Sequence, residues 1–220
     1  MAIPEALALT HSFSNHSIWL VPRSPSPYLT ALNSILQRYT PEGMPPLTLH
    51  CTLFYDFVPP SNIKSLLLKM QASLSASSHT GGLCAITPTV PFTPPTRPLH
   101  FFHYPKTADD NAGFGAMIMY LTIQCTALRA LFEEFNNVLS HGRKNHNDGA
   151  FIPHFALAYH SDEVRPSPYI NDSAIAALWK EIETVHDQAG GVVSDEWELA
   201  LWRTTGRIEE WRRVYGVIIT

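Results

Sequence analysis

Two segments of this chain open on a histidine, run through a short apolar stretch and carry a tyrosine five residues on. They are His50-Cys51-Thr52-Leu53-Phe54-Tyr55 and His154-Phe155-Ala156-Leu157-Ala158-Tyr159, about a hundred residues apart, each after a helical stretch. A chain that repeats helix, then histidine-led strand, is constrained to pack mixed helices and strands twice over. The period-two pattern fixes sides: His50, Thr52, Phe54 and Asp56 share one face of the first strand, and Leu49, Cys51, Leu53 and Tyr55 the other. On the second, His154, Ala156 and Ala158 face one way and Phe155, Leu157 and Tyr159 the other.

The segments between fit this plan. His16 to Val21 reads as a strand stopped by Pro22. Ser26-Pro27 reads as a cap and first helical residue, followed by Leu29, Leu32, Ile35, Leu36 and Tyr39 at helical spacing. Leu49 to Phe57 is the first histidine strand, and Ser61 is expected to cap a helix through Met70. Residues 75–98 are rich in Ser, Thr, Gly and Pro, with room for one strand, Leu83 to Val90. Leu99 to Tyr104 reads as a strand and Phe114 to Thr122 as another, whose apolar run also suits a helix, and then comes a helix over Cys125 to Ser140 whose stripe is Leu128, Leu131, Phe132, Phe135, Val138 and Leu139. His141 to Gly149 reads as a loop and Phe151 to His160 as the second histidine strand. A helix over Asp172 to Val185 leads to two closing strands, Trp197 to Thr205 and Trp211 to Ile219, joined through Gly206. The expected fold is α+β: a single domain, residues 1–220, of two similar lobes with antiparallel or mixed sheets, flanking helices and a central cleft.

Composition narrows the partners. At 45% hydrophobic residues the chain can bury a core unaided. Its formal net charge of −4 lacks the basic excess of a duplex nucleic-acid binder, so that partner is not expected. A small anionic ligand needs only a few donors. Three cysteines, Cys51, Cys84 and Cys125, without CxxC spacing argue against a disulfide framework or structural zinc. The start lacks a basic stretch followed by an apolar run, and no apolar run approaches a membrane span, so a cytoplasmic chain outside any membrane is expected.

The chain lacks a Gly-rich phosphate loop, HExxH, GxSxG or a placed GxGxxG, and its carboxylates are not grouped with histidines at metal spacing. No metal or cofactor is expected. The chemistry therefore falls to histidine, of which there are 11. His50 with Thr52 pairs an imidazole that moves a proton with a hydroxyl that donates to a phosphoryl oxygen. His154 supplies a second imidazole. Two imidazoles flanking one phosphorus act as general base and general acid for in-line displacement. Cys51 reads as a buried filler, Tyr55, Trp202 and Trp211 as core, with one tryptophan open to stacking on a base. His100 and His103 read as structural or cleft-lining. Arg203, Arg207, Arg212 and Arg213, interrupted by Glu209 and Glu210, read as a solvated face.

On three groups of residues the sequence resembles the two-histidine phosphoesterases, and within them the cyclic phosphodiesterase branch of plants and fungi. These are the opening Ile18-Trp19-Leu20-Val21-Pro22, the motifs His50-Cys51-Thr52-Leu53 and Pro153-His154-Phe155-Ala156-Leu157, and the close Leu201-Trp202-Arg203-Thr204-Thr205-Gly206 with Trp211. The resemblance implies a bilobal fold and metal-independent opening of ADP-ribose 1″,2″-cyclic phosphate or nucleoside 2′,3′-cyclic phosphates. It makes His50 and His154 catalytic and places Thr52, Ala156 and Tyr159 at the phosphate. The small phosphorylated ligand would be the partner of a monomer. The chain departs from the family at Ala156, where Ser or Thr is usual, and at Leu49, where proline is common. Loss of one hydroxyl donor from a phosphate cradle costs on the order of 10²–10³ in rate. Two other readings keep the fold: an isomerase, lyase or cyclase acting on a non-phosphate small molecule, and a non-catalytic nucleotide binder.

Overall fold

The computed structural model describes residues 15–24, 26–39, 49–78, 100–104, 116–122, 125–139, 151, 153–161, 172–189, 194, 196–205 and 211–219. Its elements are β1 (His16–Pro22), α1 (Pro27–Tyr39), β2 (Cys51–Phe57), α2 (Ile63–Ser78), β3 (His100–Tyr104), β4 (Ala116–Thr122), α3 (Thr126–Leu139), β5 (His154–Ser161), α4 (Asp172–Ala189), β6 (Trp197–Arg203) and β7 (Arg212–Ile219). The expected strand Leu83 to Val90 and loop His141 to Gly149 lie outside the described residues, as do Cys84, Gly206 and Arg207.

The strands form two sheets, ordered β2-β1-β6-β7 and β3-β4-β5, with every described pairing antiparallel. Among the described residues four strands stand against three, so the expected twofold likeness of the lobes is not expressed in strand number. Residues of all four helices, Ile18 and Leu20 of β1, Leu199 and Leu201 of β6 and Phe155 of β5 join one buried cluster. The short strand period puts Ile18 and Leu20 toward the helices and Ser17, Trp19 and Val21 on the opposite sheet face.

Local chemistry accounts for the helix bounds. The Ser26 Oγ accepts the Leu29 amide at 2.9 Å, which satisfies a donor left over by the first turn of α1. The second helix does not stop at Met70. Leu74 extends the buried line of Leu66, Leu67 and Met70, and that packing outweighs the weak helix preference of its serines, carrying α2 to Ser78. Its first bonds are Ile63 N–H to the Pro60 carbonyl and Leu66 N–H to the Asn62 carbonyl, so the helix opens after Asn62 rather than on Ser61. In α3 the stripe is narrower than its periodicity suggests: Leu128, Leu131, Phe135 and Leu139 are buried, Phe132 is partly buried and Val138 is exposed.

Strand β2 departs from strict alternation. Its pairing with β1 runs His16 to Phe57, Ile18 to Phe54 and Trp19 to Thr52, so β2 carries extra residues against its neighbour. Leu53 and Phe54, adjacent in sequence, both enter the core, and Tyr55 is half-buried rather than core. The irregularity lies beyond Thr52, so His50 and Thr52 keep their common side.

Aromatic contacts link β5 and the residue Phe151 before it to the first sheet, one directly and two through Phe132 of α3. Phe54 stacks on Phe132 at 5.3 Å, Phe132 on Phe151 at 4.3 Å, and Phe155 lies parallel to Trp197 at 6.0 Å. Outside the core, Arg38 pairs with Glu181 to tie α1 to α4. No described helix is long and apolar enough to cross a membrane.

Candidate functional site

The two histidine strands meet. The backbone amide of His154 donates to the sulfur of Cys51, the residue next to His50. The first residues of β5 therefore abut the first residues of β2. His50 precedes β2 and is completely enclosed, whereas His154 opens β5 and is partly exposed. Thr52 is half-buried two residues after His50. The backbone of Ala156 pairs with Tyr120 and that of Tyr159 with Ile118, beside a register shift after Met119. Only the backbone positions of Ala156, Tyr159, His100, His103 and His160 are among those described.

Around His50 the sheet face is aromatic. The His50 ring stacks on Trp19 at 3.9 Å and 20°. Trp202 also stacks on Trp19 at 4.6 Å, and Trp211 meets it edge-on at 6.0 Å. The register explains this grouping: Trp19 lies between Thr52 on β2 and Ala200 on β6, so the neighbouring positions His50 and Trp202 flank it from the two sides. Trp202 and Trp211 are thus half-buried members of this face and not part of the helix-side core. Trp202 Nε1 is a buried donor with no acceptor among the described residues.

Cys51 is filler, as its place suggests, and chemically quiet. Complete burial pushes its thiol up to about 12, opposed in part by the His154 amide. Burial raises Cys125 too, and the phenol of Tyr28 is pushed up for the same reason. Each group holds its proton in the folded chain at a pH where the unfolded chain releases it. For Cys51 that stability is complete below the ordinary thiol value of 9.0 and is lost as pH rises toward about 12. The slope is up to about 1.4 kcal/mol per pH unit for each such group. Urea unfolding at pH 7, 9 and 10.5 should show a falling midpoint, and Cys51→Ala should flatten the fall. Iodoacetamide at pH 8 should leave Cys51 of the folded protein unmodified. Alkylation of Cys51 faster than global unfolding would contradict its burial.

One cluster on the same face was not foreseen. Glu198 of β6 is 3% exposed and receives two arginines. Arg213 Nε donates to Oε1 at 2.7 Å with Nη2 on the same oxygen, and Arg23 Nη1 donates to Oε2 at 3.2 Å. Arg213 is therefore not merely one of a solvated terminal group. The carboxylate lies over Gly216 of β7, where an added Cβ would overlap Oε1 and stand 2.7 Å from the carboxyl carbon. Two signals in the sequence mark the place: a lone carboxylate inside the apolar run Trp197 to Trp202, and a glycine inside a strand, which often marks close approach of another group. Their partners, distant in sequence, are not readable from either. Among the described residues no group of three or more His, Cys, Asp and Glu is placed to hold a metal ion.

No protein-family model matches the chain. No curated protein matches it in sequence. Among solved structures the chain is similar to Usb1 of Kluyveromyces marxianus, solved with uridine monophosphate. The TM-score is 0.36 and the identity 8%, over 94% of this chain and 98% of that one. A likeness of that depth transfers neither residues nor ligand.

Proposed function

We propose that this chain is a phosphodiesterase that opens small cyclic phosphates by paired histidine catalysis without a metal. ADP-ribose 1″,2″-cyclic phosphate and nucleoside 2′,3′-cyclic phosphates are the substrates to test. The observation that supports the reading is the contact between β2 and β5, which brings the first residues of the two histidine motifs together at the His154 amide and the Cys51 sulfur.

In this mechanism one imidazole takes a proton from water as the water oxygen attacks phosphorus. The other returns a proton to the sugar oxygen as its bond to phosphorus breaks. One water is consumed and a phosphomonoester remains. Thr52 donates to an equatorial oxygen, whose charge is greatest in the transition state. Ala156 and Tyr159 lie on the second strand, where the phosphate would meet it. The ligand is a small nucleotide-like molecule, and the working unit is a monomer in the cytoplasm.

The deciding experiment is hydrolysis of these substrates in excess EDTA across pH. Turnover that survives the chelator and follows a bell between two apparent pKa values is expected. Ala156→Ser should raise the rate by restoring a donor. A flat pH profile would remove the two-imidazole mechanism. No turnover with either chain, together with saturable nucleotide binding, would make the protein a binder. An apolar ligand that phosphate does not displace would instead point to non-phosphate chemistry in the same cleft.

A further inference from the structure

Arg23 and Arg213 together exceed what Glu198 needs. One guanidinium neutralises a carboxylate, and Arg213 already offers Nε and Nη2 to a single oxygen. The second guanidinium leaves the cluster with a charge of +1 in a chain whose formal net charge is −4. The arginine side chains are 44% and 48% exposed, against 4% for Glu198. Each guanidinium carries five N–H donors, and neither has a partner beyond Glu198 among the described residues. Both are held by a buried acceptor whose carboxylate fills the space that a side chain at 216 would otherwise take. A fixed pair of half-exposed guanidiniums with donors to spare is preorganised for an anion.

Its place relative to His50 follows from the register. Leu20 pairs with Cys51 and Val21 with Glu198, so one step along β1 puts His50, Val21 and Glu198 in one row across three strands. Two interstrand spacings separate the ends of that row by about 10 Å, so an anion on the arginines would be a group of the ligand distinct from one at His50.

We propose that Arg23 and Arg213 form a second anion subsite, which takes a phosphate of the ligand other than the one held between His50 and His154. The inference rests on the proposed function only in using the histidine pair as the first phosphate site. It narrows the ligand to a nucleotide bearing two separated phosphate groups.

The test is calorimetry, which needs no turnover. Adenosine 3′,5′-bisphosphate should bind the protein at least about tenfold more tightly than adenosine 3′-monophosphate at low salt, the gain expected of charge-assisted bonds to one added phosphate. The gain should shrink as salt rises. In Arg23→Gln, which leaves Arg213 on Glu198, the ratio of the two dissociation constants should fall to about one, and Arg23→Lys should keep part of it. A ratio is insensitive to the fraction of protein that is folded. A wild-type ratio near one, or a tenfold ratio that persists in Arg23→Gln, overturns the subsite. If hydrolysis fails on every cyclic phosphate while the ratio behaves as stated, the catalytic reading falls and the subsite stands.

Discussion

Replacing His154 with alanine should lower hydrolysis of a cyclic phosphate by about 10²–10⁴-fold, the usual worth of a positioned acid or base. His50 needs a different substitution. Its ring is enclosed and stacked on Trp19 at 3.9 Å, so alanine would open a cavity as well as remove the proton carrier. His50→Gln keeps most of the volume and should cost a similar factor. The informative measurement is the double variant. If both imidazoles serve one displacement, removing the second after the first should cost only a few-fold more, because groups that act as a unit are strongly non-additive. Losses that multiply would mean that the two histidines work on separate steps or separate ligands. Urea unfolding of each variant shows whether a rate loss comes from chemistry or from the fold.

The elements were legible where a single period governs them. Hydrophobic spacing located the four described helices and the described strands, because each must bury one face and each face has one repeat, while the apolar run of β4 suited strand and helix alike. Spacing failed where packing or an insertion overrode it. Leu74 carried α2 past a serine-rich stretch that looks like a loop, and the extra residues of β2 put Leu53 and Phe54 together in the core. The same limit applies to the site. The two histidine motifs stand out because the chain repeats them. The environment of His50 does not, since Trp19, Trp202 and Trp211 come from three parts of the chain and meet only through strand order. Arg23 and Glu198 are 175 residues apart, and a pattern confined to neighbouring residues carries no trace of such a pair.

Glu198→Ala should destabilise the fold by about 1.5–3 kcal/mol, because it removes the charge-assisted hydrogen bonds of two half-exposed guanidiniums and leaves them facing each other without a carboxylate. Gly216→Ala should also be costly, by a different route. The new methyl would take the space of the Glu198 carboxylate, which must then leave Arg213 or push β7 away from β6. A loss of about 2–3 kcal/mol suits such overpacking. The two changes share one cause, so they should not add. In Glu198→Ala the carboxylate is gone and the methyl at position 216 still meets Arg213 Nη2 at 2.6 Å, the end of a half-exposed side chain that can swing aside, so the double variant should be about as stable as Glu198→Ala alone. The coupling energy of this cycle should thus approach the whole cost of Gly216→Ala. Additive losses in urea unfolding would mean that glycine is required at 216 for its backbone and not for the carboxylate above it. A coupled result would explain in one stroke why β6 tolerates a buried acid and why β7 has no side chain opposite: the arginine pair is held in place by a carboxylate that only a bare strand can accommodate.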